Sequence, residues 1–266
     1  MDHVGSAIGG GTRIGHTGST GAVFASYPGF LPILFTDQRE LPMQAPASRF
    51  VDLGHEISAG LVTYPGLPAP VITPHLTRAD SRSHYTEGTE FAMDTITMIG
   101  NTGTYLDSPF HRYEVGVDLA GLPLEALADL PAHVFRSESI SGRGIPAATF
   151  DGLDLNGTAV LLHTGWDRHF ATAAYASGAP FLTGDGARAL VAAGVTLVGI
   201  DSLNIDDTES GGERPAHSLL LAAGIPVVEH LTGLSGLPDR GARFFAVPPR
   251  VRDFGTFPVR AFALVP

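Results

Sequence analysis

The sequence predicts an α/β protein built around a central sheet, and three observations predict it. Apolar runs of strand length recur, the clearest being Ala159-Val160-Leu161-Leu162, Val195 to Ile200 and Ile225-Pro226-Val227-Val228. Unbroken runs of this kind suit strands covered on both faces. Two helical patterns, Gly186 to Ala193 and Pro215 to Ala223, alternate with them, so that strand, helix and strand follow one another. A hydrophobic fraction of 44% against 16% charged residues supplies a substantial core. At 266 residues, one domain is the default.

The elements follow in chain order. Residues 1–45, rich in Gly, Ser, Thr and Pro with one apolar patch at Phe30 to Phe35, read as an N-terminal extension that decorates the domain proper, 46–266. Val51-Asp52-Leu53 reads as a strand entering the turn-rich Thr63-Tyr64-Pro65-Gly66. Short strands continue at Ala92 to Ile99, Val134 to Phe135 and Ala159 to His163. Thr183 or Asp185 caps the first helix, and Gly194 ends it in a left-handed conformation. The second helix stops near Gly224, and Ile225 to Glu229 is the next strand. Phe244 to Pro248 and Pro258 to Val265 mix apolar runs with prolines, which favours an edge or return hairpin.

Composition excludes whole classes of function. Sixteen Lys plus Arg against 27 Asp plus Glu give a formal charge of -11, and no basic run tracks phosphates, so nucleic acid is not an expected partner. The absence of cysteine removes disulfides, thiolate metal sites and a cysteine nucleophile, leaving oxygen and imidazole chemistry. Asp2 and His3 stand where a signal peptide carries positive charge, and no apolar stretch reaches about 18 residues. The expectation is a cytoplasmic protein that does not enter a membrane and acts on a small molecule.

The densest chemical signal is Asn101-Thr102-Gly103-Thr104-Tyr105-Leu106-Asp107-Ser108-Pro109-Phe110-His111, in which turn-forming residues bring a carboxylate and an imidazole onto one short loop. Taken locally, Asp107 reads equally as a turn-stabilising carboxylate, and His111 as a structural histidine. A second signal follows the strand ending at Ile200: Asp201 to Asp207, then His217 and Glu229 on successive elements, where α/β proteins open their ligand crevice. Asp206 and Asp207 read first as a solvated acidic loop. Glu229 ends an apolar strand and is harder to dismiss. His55, His75, His84, His163 and His230 read as structural or solvated, with His163 and His84 the two that could reach the cleft. Trp166, Phe110 and Tyr64 are either ordinary core or a wall for a planar substrate.

The chain resembles the cyclase family that includes bacterial kynurenine formamidase and isatin hydrolase, whose signature has the form H-x-G-T-H-x-D-x-P-x-H. The match runs from Phe50 to Pro266, through Tyr64-Pro65-Gly66, the loop above, Leu161 to Gly165, Gly199-Ile200-Asp201, Pro215-Ala216-His217, Val228-Glu229 and Pro258-Val259-Arg260. The resemblance implies a swivelling β/β/α fold with a central mixed sheet, packed helices and a homodimer or homotetramer. It also implies that the two early histidines and the aspartate of the signature bind a metal, that the last histidine is an acid/base, and that Asp107 bridges to a second metal held with the later histidine and glutamate.

Asn101 and Tyr105 stand where those two histidines would be. An amide oxygen is a weak ligand and a phenol of pKa about 10 binds well only after losing its proton. Asp107, His217 and Glu229 remain as a set for one Zn or Mn ion, with His111 shuttling a proton. Without metal, His111 becomes the base, oriented by Asp107 or Glu229, while Tyr105 and Asn101 donate hydrogen bonds to an oxyanion. The expected activity is hydrolysis of a C-N or C-O acyl bond of formamide, lactam or lactone type. Its rivals are a metal-independent cyclase, dehydratase or lyase using His111 and Tyr105, and a non-catalytic small-molecule-binding homologue.

Overall fold

In the computed structural model the described residues are 23–25, 33–35, 48–137 and 141–266. The chain divides into two units, Met1–Gln44 and Ala45–Pro266. In the first, β1 (Val23–Ala25) and β2 (Ile33–Phe35) pair antiparallel. The rest of the proposed N-terminal extension lies outside the described residues.

The second unit begins with β3 (Arg49–Asp52) and sends out an arm of β4 (Val71–Leu76) and β5 (Met93–Thr97), with the short helix α1 (Arg78–Ser81) between them. It continues through β6 (Tyr105–Asp107), β7 (Leu130–Arg136), β8 (Gly144–Ile145), β9 (Ala159–His163), β10 (Phe181–Leu182) and helix α2 (Gly184–Ala192). After β11 (Leu197–Ile200) come α3 (Pro215–Ala222), β12 (Val227–Glu229), β13 (Arg240–Phe245), β14 (Thr256–Pro258) and β15 (Phe262–Val265). Nine strands form one mixed sheet in the order β14-β6-β12-β11-β9-β7-β13-β15-β3. Its centre, β12-β11-β9-β7, is parallel, and the flanking pairs are antiparallel.

The period of two along a strand explains why the central runs are apolar throughout. Ala159, Leu161, Leu197 and Val228 enter one core, while Val160, Leu162, Val198, Ile200 and Val227 enter a second core beneath Leu190 of α2 and Leu220 of α3. The first core closes because the sheet curls. His55 N and Val259 N donate to Thr104 Oγ1 and O, both at 2.9 Å, so the chain leaving edge strand β3 is tied to the start of β6 near the other edge. Thr183 Oγ1 caps α2 by accepting from Gly186 N at 3.2 Å, and Gly194 follows with φ +70°.

Besides the two-residue strands β8 and β10, which the sequence reading lacks, the structure differs from it in three places. Tyr105–Asp107 is a buried strand and not a loop: Tyr105 and Asp107 are polar because one face of β6 belongs to the site. The arm strand β4 had no counterpart in the reading, since its exposed faces impose no alternation. The C-terminal segment forms β13, β14 and β15. Only β14 is an edge, because β15 lies between β13 and β3.

Leu161 is fully buried on β9, whereas Ile72 on the arm is 42% exposed. Leu161→Ala should cost about 2–5 kcal/mol in urea denaturation, and Ile72→Ala no more than about 0.5 kcal/mol. Equal losses would contradict a core centred on β9.

Candidate active site

Three neighbouring strands present their chemistry on the face covered by α3. In the register, Thr256 of β14 lies beside Asp107 of β6 and Asp107 beside Val227 of β12, while Tyr105 lies beside Glu229. Leu106, Val228 and Phe257 turn the other way, to the first core. Thr256, Asp107, Tyr105 and Glu229 therefore form a polar cluster on a single surface, and His217, in the first turn of α3, descends onto it. His217 Nε2 lies 3.5 Å from Asp107 Oδ2 and 3.6 Å from Glu229 Oε1.

Asp206 aims that imidazole. Pro215 opens α3, and its cap position, Arg214, makes no side-chain capping bond. The buried Asp206 carboxylate takes over: Oδ1 accepts from Ala216 N at 2.6 Å, and Oδ2 accepts from His217 N at 3.0 Å and His217 Nδ1 at 2.8 Å. A carboxylate on the positive end of the helix thus also fixes Nδ1 as the protonated nitrogen and points Nε2 at the cluster.

Glu229 is held by Ile205 N at 2.6 Å on Oε1, and by the Tyr105 hydroxyl at 2.7 Å and Asn204 Nδ2 at 3.4 Å on Oε2. Tyr105 is buried, and burial together with the charges of Glu229 and Asp107 pushes its pKa far above the ordinary phenol value, so it stays a phenol. Its oxygen also meets His230 Nε2 at 3.1 Å, and His230 Nδ1 meets the Tyr175 hydroxyl at 2.8 Å. Burial lowers His230 to about 3, so the ring is neutral. Because Tyr105 donates to Glu229, His230 donates from Nε2 and accepts from Tyr175 at Nδ1. His230 holds a left-handed φ of +55°, a conformation uncommon outside glycine.

Thr256 Oγ1 donates to Asp107 Oδ1 and meets His111 Nδ1 at 2.7 Å, so His111 is the donor in that contact and its Nε2 carries the lone pair. Gly255 permits this approach. A Cβ there would lie 2.6 Å from both His111 N and Cα. Among the described residues the donor atoms of Asp107, His111 and His217 fall within 4.8 Å of one another. Asp107 Oδ2 is buried with no hydrogen-bond partner, since His217 Nε2 is too distant to fill it. A cleft of about 590 Å³ opens over the cluster, lined by Tyr64, Asn101, Tyr105, His111, His217 and Glu229 among others.

The model of the Cyclase family matches residues 51–207, more than half of the sequence. The chain belongs to the Cyclase family. Kynurenine formamidase of Bacillus cytotoxicus is 26% identical over 216 residues, 81% of this chain and 97% of the relative. A solved structure described as a potential metal-dependent hydrolase with cyclase activity is 26% identical at a TM-score of 0.67, covering 83% of this chain and 99% of that one. Isatin hydrolase A of Labrenzia aggregata shares the fold at a TM-score of 0.68 and 20% identity, covering 82% and 94%. The chain is a hydrolase of this family.

A divalent cation of the sort such hydrolases use fits the Cyclase-family cluster found here. Asp107, His111 and His217 each bring one donor atom within 4.8 Å of the others, one hard oxygen and two imidazoles, and Asp107 also has a buried oxygen, Oδ2, without a hydrogen-bond partner. Burial works against a charged His217, but Glu229 and the contacts of Asp107 and Asp206 outweigh it and raise its pKa to about 10. Burial, with the Asp107 charge, raises Glu229 to about 7 despite the opposing His217. Asp107 is held low because His217, His111 and Thr256 overcome its burial.

All six site residues read from the sequence meet here: Asn101, Tyr105, His111, His217 and Glu229 line the cleft, with Asp107 beneath them. Asp206 is a correction: it is buried and grips α3, while Asp207 pairs with Arg143 at 3.1 Å. His163 turns to Arg136 and Asp201 and stays out of the cleft, as does His84 on the arm. Trp166 packs with Tyr175 and Leu203 and is not a cleft wall; Tyr64 is one. His230, Tyr175 and Thr256 have no local sequence signal. The missing cap before Pro215 is a signal for Asp206.

Asp206→Asn should lower turnover about 10- to 100-fold, since an amide cannot accept all three N–H groups. Unchanged turnover would mean that His217 needs no aiming. Glu229 and His217 both have folded pKa values above their ordinary 4.5 and 6.5. Each therefore stabilises fully below its ordinary value and loses that contribution as pH rises to about 7 and about 10 respectively. In chelator, Tm should fall between about pH 5 and about pH 10, whereas stabilisation by a divalent ion should grow over the same range. A Tm that rises with pH in chelator would contradict the cluster's electrostatics.

Proposed function

We propose that the protein hydrolyses a C-N or C-O acyl bond of formamide, lactam or lactone type in a small substrate, cyclic ones included, using one divalent ion held by Asp107, His111 and His217. The observation that carries this reading is that Asp107, His111 and His217 bring donor atoms within 4.8 Å of one another, while one Asp107 oxygen is buried and unsatisfied. When bound, such an ion polarises the acyl carbonyl and lowers the pKa of water.

The remaining work falls to this chain's own groups. Glu229, with its pKa raised to about 7, takes the proton of the attacking water at Oε1 and returns it to the leaving nitrogen or oxygen. Ile205 N and the Tyr105 hydroxyl keep the carboxylate in one rotamer. Asn101 faces the same cleft and can donate to the carbonyl oxygen. Tyr64 and Leu67 supply an apolar wall for a planar acyl group. This reading exchanges two roles expected from the sequence, since Glu229 has both oxygens engaged by protein donors and His111 has a free Nε2.

The test is metal content per chain, with turnover of a formanilide, in the parent, His111→Ala and Glu229→Gln. The expected result is loss of bound Zn or Mn in His111→Ala, and retention in Glu229→Gln with turnover lowered about 10²- to 10⁴-fold. Metal kept in His111→Ala and lost in Glu229→Gln would restore the opposite assignment. Turnover that survives chelation would sink the metal-dependent mechanism.

A further inference from the structure

The cleft holds positive charge that the hydrolytic chemistry does not use. Arg112 and Arg214 both line it. Arg112 follows His111 directly, and Arg214 is the residue on which α3 begins, one turn before His217. The two arginines thus lie close in sequence to the two imidazoles and line the same cleft. Arg82, Arg136, Arg143, Arg243 and Arg260 each have a carboxylate within 4.0 Å. Among the described residues the other nine arginines have none, and of these nine it is Arg112 and Arg214 that line the cleft.

Arg214 is anchored along one side only. Its NH1 donates to the carbonyls of Glu213 at 2.7 Å and Asp207 at 3.2 Å, while Nε and NH2 meet no acceptor among the described residues. The adjacent Asp207 carboxylate is taken by Arg143 NH2, at 3.1 and 3.2 Å. A guanidinium fixed by backbone carbonyls, with two N–H groups left on one edge, has already lost much of the freedom that binding would cost, and that edge matches the two oxygens of a carboxylate.

We propose that the acyl substrate carries a carboxylate, received by the free edge of Arg214, with Arg112 adding positive charge at the same cleft. This rests on the hydrolytic reading for the word acyl, but the anion site stands on Arg214 alone. Its neighbour Tyr64 places an apolar surface in the same cleft, so an aromatic carboxylate suits it best.

The test uses benzoate and the isosteric neutral benzamide as probes, titrated calorimetrically into the full chain, its Arg214→Gln variant and its Arg214→Lys variant. Benzoate should bind at least about tenfold more tightly than benzamide. Arg214→Gln should abolish that preference, and Arg214→Lys should retain part of it, because a point charge replaces the fork. Equal binding of the two probes, no binding of either at millimolar concentration, or a preference that persists in Arg214→Gln would each overturn the proposal. Turnover separates it from the parent reading. The kcat/KM ratio of a ring-carboxylated formanilide to formanilide should fall about tenfold or more in Arg214→Gln. If neither anilide is hydrolysed while the benzoate preference holds, the hydrolase reading fails and the anion site stands.

Discussion

The structure turns on one constraint: three buried carboxylates, Asp107, Asp206 and Glu229, surround one buried imidazole, His217. Charges removed from water are tolerable only when fixed donors replace it. The fold supplies those donors from backbone and neighbouring side chains. Asp206 takes the first free N–H groups of α3, Glu229 takes Ile205 N from the loop after β11, and Asp107 takes the Thr256 hydroxyl across the β6–β14 pair. The sheet order and the position of α3 are therefore what make the cluster affordable. One oxygen, Asp107 Oδ2, is left over, and a cation is the group that would complete it.

Tyr105 sets the character of this cluster. A histidine there would offer a lone pair, whereas a buried phenol with an elevated pKa offers a proton. That proton goes to Glu229, and the phenol oxygen is steadied by His230 and, through it, Tyr175. The hydrogen bond narrows what Glu229 can do: one oxygen is committed to Tyr105, so the carboxylate is better placed to exchange protons than to join a metal. His111, on the exposed lip with its Nδ1 occupied by Thr256, is left as the third donor beside Asp107 and His217.

Much of the fold is legible in the sequence because the central strands are covered on both faces. Ala159–His163, Leu197–Ile200 and Val227–Glu229 each lie inside an apolar run that resists another reading. Tyr105–Asp107 escapes detection for the opposite reason. Its alternation is real, with Leu106 to the core and Tyr105 and Asp107 to the site, but three residues among Gly, Thr, Ser and Pro give no period to measure. The six site residues are legible through the order of their motifs. What is not legible is who holds them: Asp206 looks like half of a solvated acidic pair until α3 is seen without a cap of its own, and His230 reveals nothing until its backbone is seen in the left-handed region.

Charge is layered within the cleft. The acids lie on its floor or beneath it, where protein donors neutralise part of their field, while Arg112 and Arg214 line it without a carboxylate of their own among the described residues. A chain with a formal charge of -11 repels anions at long range, and dissolved salt confines that repulsion to roughly 10 Å. Within that range the nearest charges decide the sign of the potential. Arg112 and Arg214 add positive charge to that cleft, so an anion admitted to it meets guanidiniums as well as the carboxylates of the floor. Had Asp207 paired with Arg214 and not with Arg143, the Arg214 charge would be neutralised at close range. The division of labour between these two arginines is thus what keeps a carboxylate-receiving edge open in an acidic protein.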